Sequence, residues 1–369
     1  MAVAANEYLR QALTAAQSVS DLAKPNPKVG CLLVSSGGIV LGQGCTQVAG
    51  GAHAEIMALR DAEKRGASVR GSTAYVTLEP CSHEGRTGPC CDALIAAGIS
   101  KAVISIEDPN PLVAGRGIAR LRAAGVQIDV GALAFESREL NIGFFSRMIR
   151  KSPWVRMKVA ASLDGKTALA SGASKWITSD AARADGHAWR ARSCAVLTGI
   201  GTVRQDNPWL DVRLAEAPRQ PRLIVVDSRL ETPLDALLFQ ADRALYIYSA
   251  GYNDEKKSAL EARGATVTCL PGADGKVDLS AMLRDLARLE INELHVEAGE
   301  KLNGSLVSEG LVDEFIVYLA PKLIGQGQGM ASFGPLPSLA KAPPLEFQSV
   351  DRLGPDLRII ARSRARDQF

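Results

Sequence analysis

Three residues in the first half of the chain have the types and spacing of a metal site. His53 belongs to an H-A-E sequence, and eight residues separate Cys81 from Cys90. One imidazole and two thiolates leave the fourth position of a tetrahedral zinc ion for water, and zinc lowers the pKa of that water from about 15.7 towards about 7. Glu55 is then placed to carry a proton from the water to a leaving amine. The pattern predicts a catalytic zinc ion and hydrolytic deamination of a base.

In the second half, the residues that could bind a ligand are glycines and arginines. Gly199 and Gly201 follow a strand pattern, which favours either a nucleotide pocket or a tight turn without a ligand. Neither a G-x-G-x-x-G sequence nor a P-loop is present, because Ser305 stands where a P-loop has lysine. Arg190 and Arg213 suit a bidentate phosphate clamp, with a surface salt bridge as the alternative.

Helical and strand patterns alternate along the chain and place these residues at the ends of elements. His53 and Glu55 follow two glycines at a helix start, and Cys81 follows a strand, which is the layout of a metal site between a strand end and helix N-termini. The first half is predicted to contain helices at 6–20, 54–65, 91–97 and 117–124 and strands at 29–34, 39–44, 73–78, 102–106 and 127–130. The second half is predicted to contain strands at 154–160, 195–198, 222–226, 314–319 and 357–362 and a helix at 180–191.

Length and composition favour a folded chain of two α/β domains. At roughly 100–200 residues per domain, a chain of 369 residues implies two, and 46% hydrophobic with 22% charged residues excludes disorder. The basic segment 146–153 ends in proline, which is typical of an exposed junction. We therefore predict one domain at residues 1–146, a linker at 147–153 and a second domain at 154–369.

Charge and hydropathy argue against two classes of partner. The net charge is only +3 and neither half is strongly basic, so no nucleic-acid partner is expected. No apolar run approaches about 18 residues and the N-terminus lacks the pattern of a signal peptide, which predicts a cytoplasmic protein without a membrane contact. Seven cysteines, an odd number without a secretion signal, predict reduced thiols.

Four ordered motifs of the first half resemble the cytidine/deoxycytidylate deaminase-like superfamily, and within it the pyrimidine deaminases of riboflavin biosynthesis. They are K-P-N-P-x-V-G at 24–30, H-A-E at 53–55, P-C-(x8)-C at 80–90 and E-D-P-N-P at 107–111. The resemblance implies a three-layer α/β/α fold with His53, Cys81 and Cys90 as zinc ligands and Glu55 as the proton carrier. It departs from the family at Gly88, where those enzymes usually have proline.

The same resemblance implies contacts to the substrate. Asn26, held between two prolines, would hydrogen-bond the substrate. His83 and Arg86 would contact its phosphate, with a solvated loop as the alternative.

The second half resembles the C-terminal reductase domain of bifunctional riboflavin-biosynthesis enzymes, which has a dihydrofolate-reductase-like α/β fold and uses NADPH. The motifs are K-V-A-A-S-L-D-G-K-T-A at 158–168, G-I-G-T-V-R-Q-D-N-P-W-L-D-V-R at 199–213, E-A-G-x-x-L-x-G-x-L at 297–306 and Y-x-A-P-x-L-x-G at 318–325. The implied NADPH contacts are Ala160, Trp176, Thr202, Asp206, Ser228, Gly299, Glu300, Lys301, Leu302, Asn303, Gly304 and Ser305. The implied substrate contacts are Ser174, Arg190, Leu210, Arg213 and Glu297.

Several residues near these motifs have structural alternatives. Cys91 is adjacent to Cys90 and points elsewhere, so it is not expected to bind the metal. Asp164 suits a turn as well as it suits catalysis. Residues expected to pack or support structure are Cys31, Cys45, His187 and His295, and the tryptophans Trp176 and Trp209 are equally compatible with a core.

The resemblance implies two consecutive reactions on one phosphorylated pyrimidine. The first is zinc-dependent deamination of 2,5-diamino-6-(5-phosphoribosylamino)pyrimidin-4(3H)-one, and the second is NADPH-dependent reduction of the ribosyl group to ribityl. A homo-oligomer, dimer or tetramer, is also expected. Two alternatives remain: a tRNA base deaminase with an accessory domain, and a non-enzymatic protein in which zinc only stabilises the fold.

Overall fold

The computed structural model of the chain describes residues 2–19, 21–82, 88–364 and 366–369. The chain divides into two compact units, Met1–Arg150 and Lys151–Phe369. Each unit has its own main sheet and its own helices, in agreement with the predicted α/β class.

The first unit is built on a five-stranded sheet with strand order β2-β1-β3-β4-β5. Its elements in chain order are α1 (Ala2–Gln17), a 3-10 helix (Asp21–Ala23), β1 (Gly30–Val34), β2 (Val40–Cys45), α2 (Ala54–Lys64), β3 (Thr73–Val76), α3 (Cys90–Ala96), β4 (Lys101–Ile104), α4 (Arg116–Ala123), β5 (Gln127–Val130), α5 (Ala134–Leu140) and α6 (Ile142–Arg150). The strand β1 is antiparallel to both β2 and β3, whereas β3, β4 and β5 are parallel. The β1–β2 turn contains Gly38 at φ +82°, a left-handed conformation that favours glycine.

Helices α1 and α2 cover opposite faces of this sheet. A Cβ on Gly30 would lie 1.9 Å from the Ala12 carbonyl oxygen of α1, so that face of β1 meets α1. The next residue, Cys31, points to the other face and pairs with Gly44 of β2. A Cβ on Gly44 would lie 2.4 Å from the Ala54 carbonyl oxygen of α2. The three-layer α/β/α arrangement therefore follows from the register, and the glycines allow α2 to approach the sheet closely.

The end of the first unit differs from the sequence-based expectation. Helices α5 and α6 were not predicted, and α6 continues through Arg150, which lies inside the predicted linker 147–153. Phe144, Phe145 and Ser146 are buried. A short amphipathic helix with a basic last turn resembles an exposed junction in sequence, because its polar face is the more conspicuous one.

The second unit contains a nine-stranded sheet with order β11-β10-β9-β8-β12-β6-β13-β16-β15 and a separate β7–β14 pair. Its elements are β6 (Trp154–Ser162), β7 (Lys166–Leu169), α7 (Asp180–Ala191), β8 (Ala195–Gly199), α8 (Ile200–Asp206), β9 (Arg222–Val226), a 3-10 helix (Leu237–Phe239), β10 (Leu245–Ser249), α9 (Asp254–Ala262), β11 (Ala265–Cys269), α10 (Leu279–Arg288), β12 (Glu293–Val296), α11 (Glu300–Ser308), β13 (Glu314–Ala320), β14 (Gly327–Gly329), a 3-10 helix (Leu339–Lys341), β15 (Leu345–Leu353) and β16 (Asp356–Ser363). The strands from β11 to β13 are parallel, and β16 and β15 complete the sheet with antiparallel pairs.

Apolar clusters cover both faces of this sheet. Along β8, Leu197 belongs to one cluster together with Met282 and Leu286 of α10, whereas its neighbour Val196 belongs to another cluster together with Leu260 of α9. Parallel strands with helices on both faces need apolar side chains at successive positions. This requirement explains the continuous apolar runs in the sequence. Among the described residues, no helix has both the length and the apolar character needed to cross a membrane.

Candidate functional sites

The candidate metal centre of the first unit lies where two helices begin and one strand segment ends. His53 is the N-cap residue of α2, Cys90 opens α3, and Cys81 follows β3 after a short turn. The His53 Nδ1 atom lies 3.5 Å from the Cys81 Sγ and 3.3 Å from the Cys90 Sγ. The ligand atoms of the three residues all lie within 4.8 Å of one another. The fold thus brings together residues that are far apart in sequence.

Hydrogen bonds within this cluster favour a thiolate at Cys81. Hydrogen bonding with Cys90 lowers the pKa of the Cys81 thiol well below its usual range. The backbone N–H of Cys90 also donates to the Cys81 Sγ at 3.3 Å. Amide groups at a helix start stabilise a negative sulfur, which is the form that binds metal.

The three side chains fit a zinc ion by number and by donor type. Imidazole and thiolate are zinc ligands, and three of them leave one tetrahedral position for water. Within the part of the chain that the structure describes, no fourth histidine, cysteine or carboxylate joins the group. This composition favours a catalytic site over a structural one, which has four protein ligands.

Glu55 occupies the first turn of α2 beside the cluster and is buried. Its burial follows from the close approach of α2 to the glycines of β2. Burial raises the pKa of Glu55 to about 7, and the Cys81 charge acts in the same direction. A carboxyl group with a pKa near neutrality can both accept and donate a proton.

A buried glutamate that the sequence analysis did not identify supports the Cys81 turn. The Glu79 carboxylate accepts hydrogen bonds from the backbone N–H groups of Asp108 at 3.2 Å, Gly115 at 2.9 Å and Ile118 at 3.1 Å. It therefore ties the E-D-P-N-P segment and the start of α4 to the turn before Cys81. In the sequence, the only indication of this role is that Glu79 lies two residues before the candidate ligand Cys81.

The remaining predicted residues of this unit have different outcomes. Asn26 is partly exposed in the segment that leads into β1, whereas His83 and Arg86 lie outside the described residues. Cys91 is buried and is not part of the metal cluster. Cys31 is buried in β1 and Cys45 ends β2 partly exposed, and neither forms a disulfide.

The second unit has a cavity of about 710 Å³. Part of its lining comes from Lys158 on β6 and Glu297 directly after β12. The two strands are parallel neighbours, and ligands of open α/β sheets bind beyond the carboxyl ends of such strands. The predicted residues that line the cavity are Ala160, Ser174, Trp176, Arg190, Thr202, Asp206, Leu210, Arg213, Glu297, Gly299 and Asn303.

Six predicted cofactor residues do not line this cavity. The Ser228 hydroxyl accepts a hydrogen bond from the Val277 backbone N–H at 3.3 Å. The Glu300 carboxylate accepts from the Gly329 backbone N–H at 2.7 Å and so holds the β14 segment against the start of α11. The others, all in α11, are Lys301, Leu302, Gly304 and Ser305.

A buried ion cluster forms one wall of the cavity. Arg190 makes a two-pronged contact with the Glu297 carboxylate through its Nε and through its Nη2 at 2.9 Å. The Lys158 Nζ is 3.6 Å from the same carboxylate, and the His295 Nε2 is 3.4 Å from it. Burial opposes the negative charge, but Arg190 and Lys158 outweigh it and hold the pKa of Glu297 well below its usual range. Arg190 is thus an internal ion-pair partner and not a surface one.

His187 also lines the cavity, although the sequence suggested only a structural role. Its Nδ1 accepts a hydrogen bond from the Arg213 backbone N–H at 3.2 Å. Burial and the charges of Arg190 and Arg213 lower the pKa of His187 to about 4. The ring is therefore neutral at physiological pH.

The other open assignments are resolved by burial and hydrogen bonding. Trp176 and Trp209 are exposed at the cavity, so neither is a core residue. Asp164 accepts from the backbone N–H groups of Ile324 at 3.0 Å and Gly325 at 2.7 Å, which supports the structural alternative. The hydrogen bond from the Ser162 hydroxyl, together with these two backbone hydrogen bonds, lowers the pKa of Asp164 to about 2.

Comparison with known families matches both units. Residues 3–106 match the cytidine and deoxycytidylate deaminase zinc-binding region, and residues 153–359 match the RibD C-terminal domain. The chain is 43% identical to the riboflavin biosynthesis protein RibD of Escherichia coli, over 95% of this chain and 97% of that protein. It is 40% identical to RibD of Aquifex aeolicus, over 96% of this chain and 97% of that protein.

Solved structures give the same result over the whole length. Acinetobacter baumannii RibD superposes with a TM-score of 0.88 at 36% identity and covers 98% of this chain and 99% of its own. A diaminohydroxyphosphoribosylaminopyrimidine deaminase/5-amino-6-(5-phosphoribosylamino)uracil reductase from Thermotoga maritima superposes with a TM-score of 0.86 at 30% identity, with 98% and 99% coverage. The chain therefore belongs to the RibD family, the bifunctional deaminase–reductases of riboflavin biosynthesis.

Proposed function

We propose that this chain catalyses two consecutive reactions on a phosphorylated pyrimidine. The unit Met1–Arg150 hydrolyses the amine of 2,5-diamino-6-(5-phosphoribosylamino)pyrimidin-4(3H)-one and releases ammonia. The unit Lys151–Phe369 reduces the ribosyl group of the resulting uracil with NADPH. The observation that carries the proposal is the convergence of His53, Cys81 and Cys90 beside a buried Glu55.

In the deaminase unit, His53, Cys81 and Cys90 would hold zinc, which supplies an activated water at neutral pH when bound. The Glu55 carboxylate accepts the proton of the attacking water and returns it to the departing amine. Asn26 hydrogen-bonds the pyrimidine, and His83 and Arg86 are the proposed contacts to its phosphate. Water enters and ammonia leaves, so no oxidant is needed.

In the reductase unit, NADPH supplies a hydride when bound. We assign its binding to Ala160, Trp176, Thr202, Asp206, Ser228 and residues 299–305, which are Gly299 and the first residues of α11. The substrate would lie against Ser174, Arg190, Leu210, Arg213 and Glu297. Arg213 is the better candidate for the phosphate contact, because its side chain is half-exposed although it pairs with the Asp211 carboxylate. Arg190 is largely buried and already donates to Glu297 and to the Asp211 carbonyl.

A homo-oligomer in the cytoplasm belongs to the same proposal. Its support is apolar exposure near the end of the chain, where Leu339 is 92% exposed and Phe347 on the edge strand β15 is 73% exposed. Side chains of this kind are usually covered by a partner. Light scattering after gel filtration measures the number of chains.

A coupled assay with the diaminopyrimidine phosphate and NADPH tests the two-site proposal. Ammonia and NADPH consumption are followed separately before and after removal of zinc with a chelator. We expect the chelator to stop ammonia release while NADPH oxidation continues on the deaminated substrate. Loss of both activities in a folded chain would contradict the assignment of one reaction to each unit.

A further inference from the structure

Residues 207–213, the segment that follows α8, have an irregular backbone. Within the described part of the chain, the backbone groups of residues 208–213 make no hydrogen bond to another backbone group. Leu210 has a φ of +51°, a left-handed conformation that side chains with a Cβ disfavour. Side chains must therefore impose the conformation of this segment from outside it.

Gln220 supplies both hydrogen bonds of one peptide position in the segment. Its Oε1 accepts from the Val212 backbone N–H at 2.7 Å, and its Nε2 donates to the Val212 carbonyl at 2.9 Å. A neighbouring strand would bond the same two groups in the same way. The amide of Gln220 thus replaces a missing strand partner.

Arg243 fixes the two preceding residues. Its guanidinium donates to the carbonyl oxygens of Trp209 and Leu210, the second of which has the unfavourable φ. The guanidinium is half-buried, and burial lowers the pKa of Arg243 to about 10, so it stays charged at neutral pH. Charged donors form the stronger class of hydrogen bond.

The segment is held at its other end by α7. Arg190 donates to the Asp211 carbonyl at 2.8 Å, and His187 accepts from the Arg213 N–H at 3.2 Å. Each residue from 209 to 213 therefore has a backbone group bonded to a side chain of another element.

Gln220 and Arg243 act through the segment and not on a ligand. They lie two residues before β9 and β10, which are neighbouring strands, and neither lines the cavity. Leu210 and Arg213, which they help to place, do line it. Their hydrogen bonds therefore control where two cavity-lining residues stand.

We propose that Gln220 and Arg243 are positioning residues of the reductase site, which hold residues 207–213 so that Arg213 meets the phosphate of the substrate. This inference rests on the proposed function of Arg213. We therefore expect Gln220 and Arg243 to affect the affinity for the phosphorylated substrate and not the rate of hydride transfer.

Steady-state kinetics of the full-length chain test the proposal, with the deaminated ribosyl phosphate and NADPH as substrates. Gln220→Met is expected to raise KM for the phosphorylated substrate about tenfold, because it removes two hydrogen bonds of the segment. The kcat and the KM for NADPH should stay within about twofold. Arg243→Lys should raise the same KM by a smaller factor. For the substrate without its phosphate, KM should rise by a smaller factor, because only the contact with Leu210 is then disturbed.

Matched variants separate failure of this proposal from failure of the proposed function. Arg213→Met removes the phosphate contact itself. Gln11→Met and Arg288→Lys, which change exposed residues elsewhere, are the matched controls for Gln220→Met and Arg243→Lys. If Arg213→Met leaves KM unchanged, the proposed role of Arg213 is wrong. If Arg213→Met raises KM but Gln220→Met and Arg243→Lys do not, the positioning role is overturned. Equal increases for substrates with and without phosphate would also overturn it, because they would indicate general distortion.

Discussion

The two candidate sites are built in opposite ways. In the first unit, three side chains of uncommon residue types bring their ligand atoms within 4.8 Å, at two helix starts and one strand end. In the second unit, a cavity of about 710 Å³ is lined by residues that range from Lys158 to Gln328 along the chain. A compact site depends on each member completely, whereas a distributed site shares its binding energy among many contacts.

The difference predicts two kinds of response to substitution. Removal of one ligand from a three-ligand metal site should abolish its activity, because no neighbour can replace the donor. Removal of one contact from the cavity should give a graded change in KM or stability. The same chain therefore allows both behaviours to be measured on one preparation.

The largest expected effect is the loss of zinc from a ligand variant. Cys81→Ser should reduce bound zinc from one ion per chain to near none and abolish ammonia release, while NADPH oxidation on the deaminated substrate continues. Cys91→Ser is the matched control, because Cys91 is buried next to Cys90 but is not part of the cluster. Zinc analysis of both proteins checks the assignment, and retention of zinc by Cys81→Ser would contradict it.

Glu55→Gln should leave zinc bound and still reduce the deaminase rate. An amide cannot accept the proton of the water, and a positioned acid–base group contributes about 10²–10⁴ in rate. Glu63→Gln, at an exposed position on the same helix, should have no effect. Rapid measurement of ammonia release gives the rate. A rate for Glu55→Gln within a few-fold of the parent would remove Glu55 from the mechanism.

The difference between the compact site of the first unit and the distributed cavity of the second also explains which features could be predicted from the sequence. The candidate zinc ligands are recognisable because few residue types bind zinc and their positions follow a strict pattern. The alternating elements were also predictable, and the helix Asp180–Ala191 and the strand Arg222–Val226 have the predicted bounds. Periodicity identifies such elements when one face, or both faces, must be apolar.

Other features of the structure depend on packing between distant segments, and the neighbouring residues in the sequence give little indication of them. Glu79 and Gln220 act through hydrogen bonds to backbone groups of distant segments, and such bonds place no demand on neighbouring residue types. Residues 146–150, the last part of helix α6, were predicted to belong to a junction because their basic residues dominate that part of the sequence. His187 has a helical position that is equally compatible with packing and with a cavity.

The ion cluster of the cavity allows a test of graded loss in the second unit. Arg190→Met would leave the buried Glu297 carboxylate with Lys158 as its remaining ion-pair partner. Loss of one partner from a buried pair costs about 3–5 kcal/mol of unfolding free energy. Arg156→Met is the matched control, because Arg156 pairs with Glu314 and Glu293 in the same sheet and is even more buried than Arg190, but does not line the cavity.

Tryptophan fluorescence during urea unfolding measures this effect selectively. All four tryptophans of the chain, Trp154, Trp176, Trp189 and Trp209, belong to the second unit. Both variants should unfold at lower urea, but only Arg190→Met should also raise KM for the phosphorylated substrate. An equal change in KM for Arg156→Met would show that stability, and not the cavity wall, controls binding.

The smallest expected effect is a pH dependence confined to the second unit. Burial lowers the pKa of His295, and burial with nearby arginine charges lowers the pKa of His187 to about 4. The His187 ring is therefore neutral in the folded protein between pH 7.5 and 5.5, whereas an unfolded histidine titrates near pH 6.5. The unfolded chain therefore binds more protons below this pH, and through His187 the free energy of unfolding falls by about 1 kcal/mol between pH 6.5 and 5.5. The lowered pKa of His295 acts in the same direction. This contribution is fully present above pH 6.5 and is lost as the pH falls towards 4.

His187→Gln should remove the loss of about 1 kcal/mol that His187 causes between pH 6.5 and 5.5. Above pH 7 the dependence of stability on pH should not change. The tryptophan signal at pH 7.5, 6.5 and 5.5 gives the slope for the second unit alone, because His53 belongs to the first unit. An unchanged slope in His187→Gln would mean that His187 is already charged in the folded protein. A charged ring cannot accept a hydrogen bond from the Arg213 N–H through Nδ1. That result would therefore contradict the hydrogen bond by which His187 of α7 holds residues 207–213.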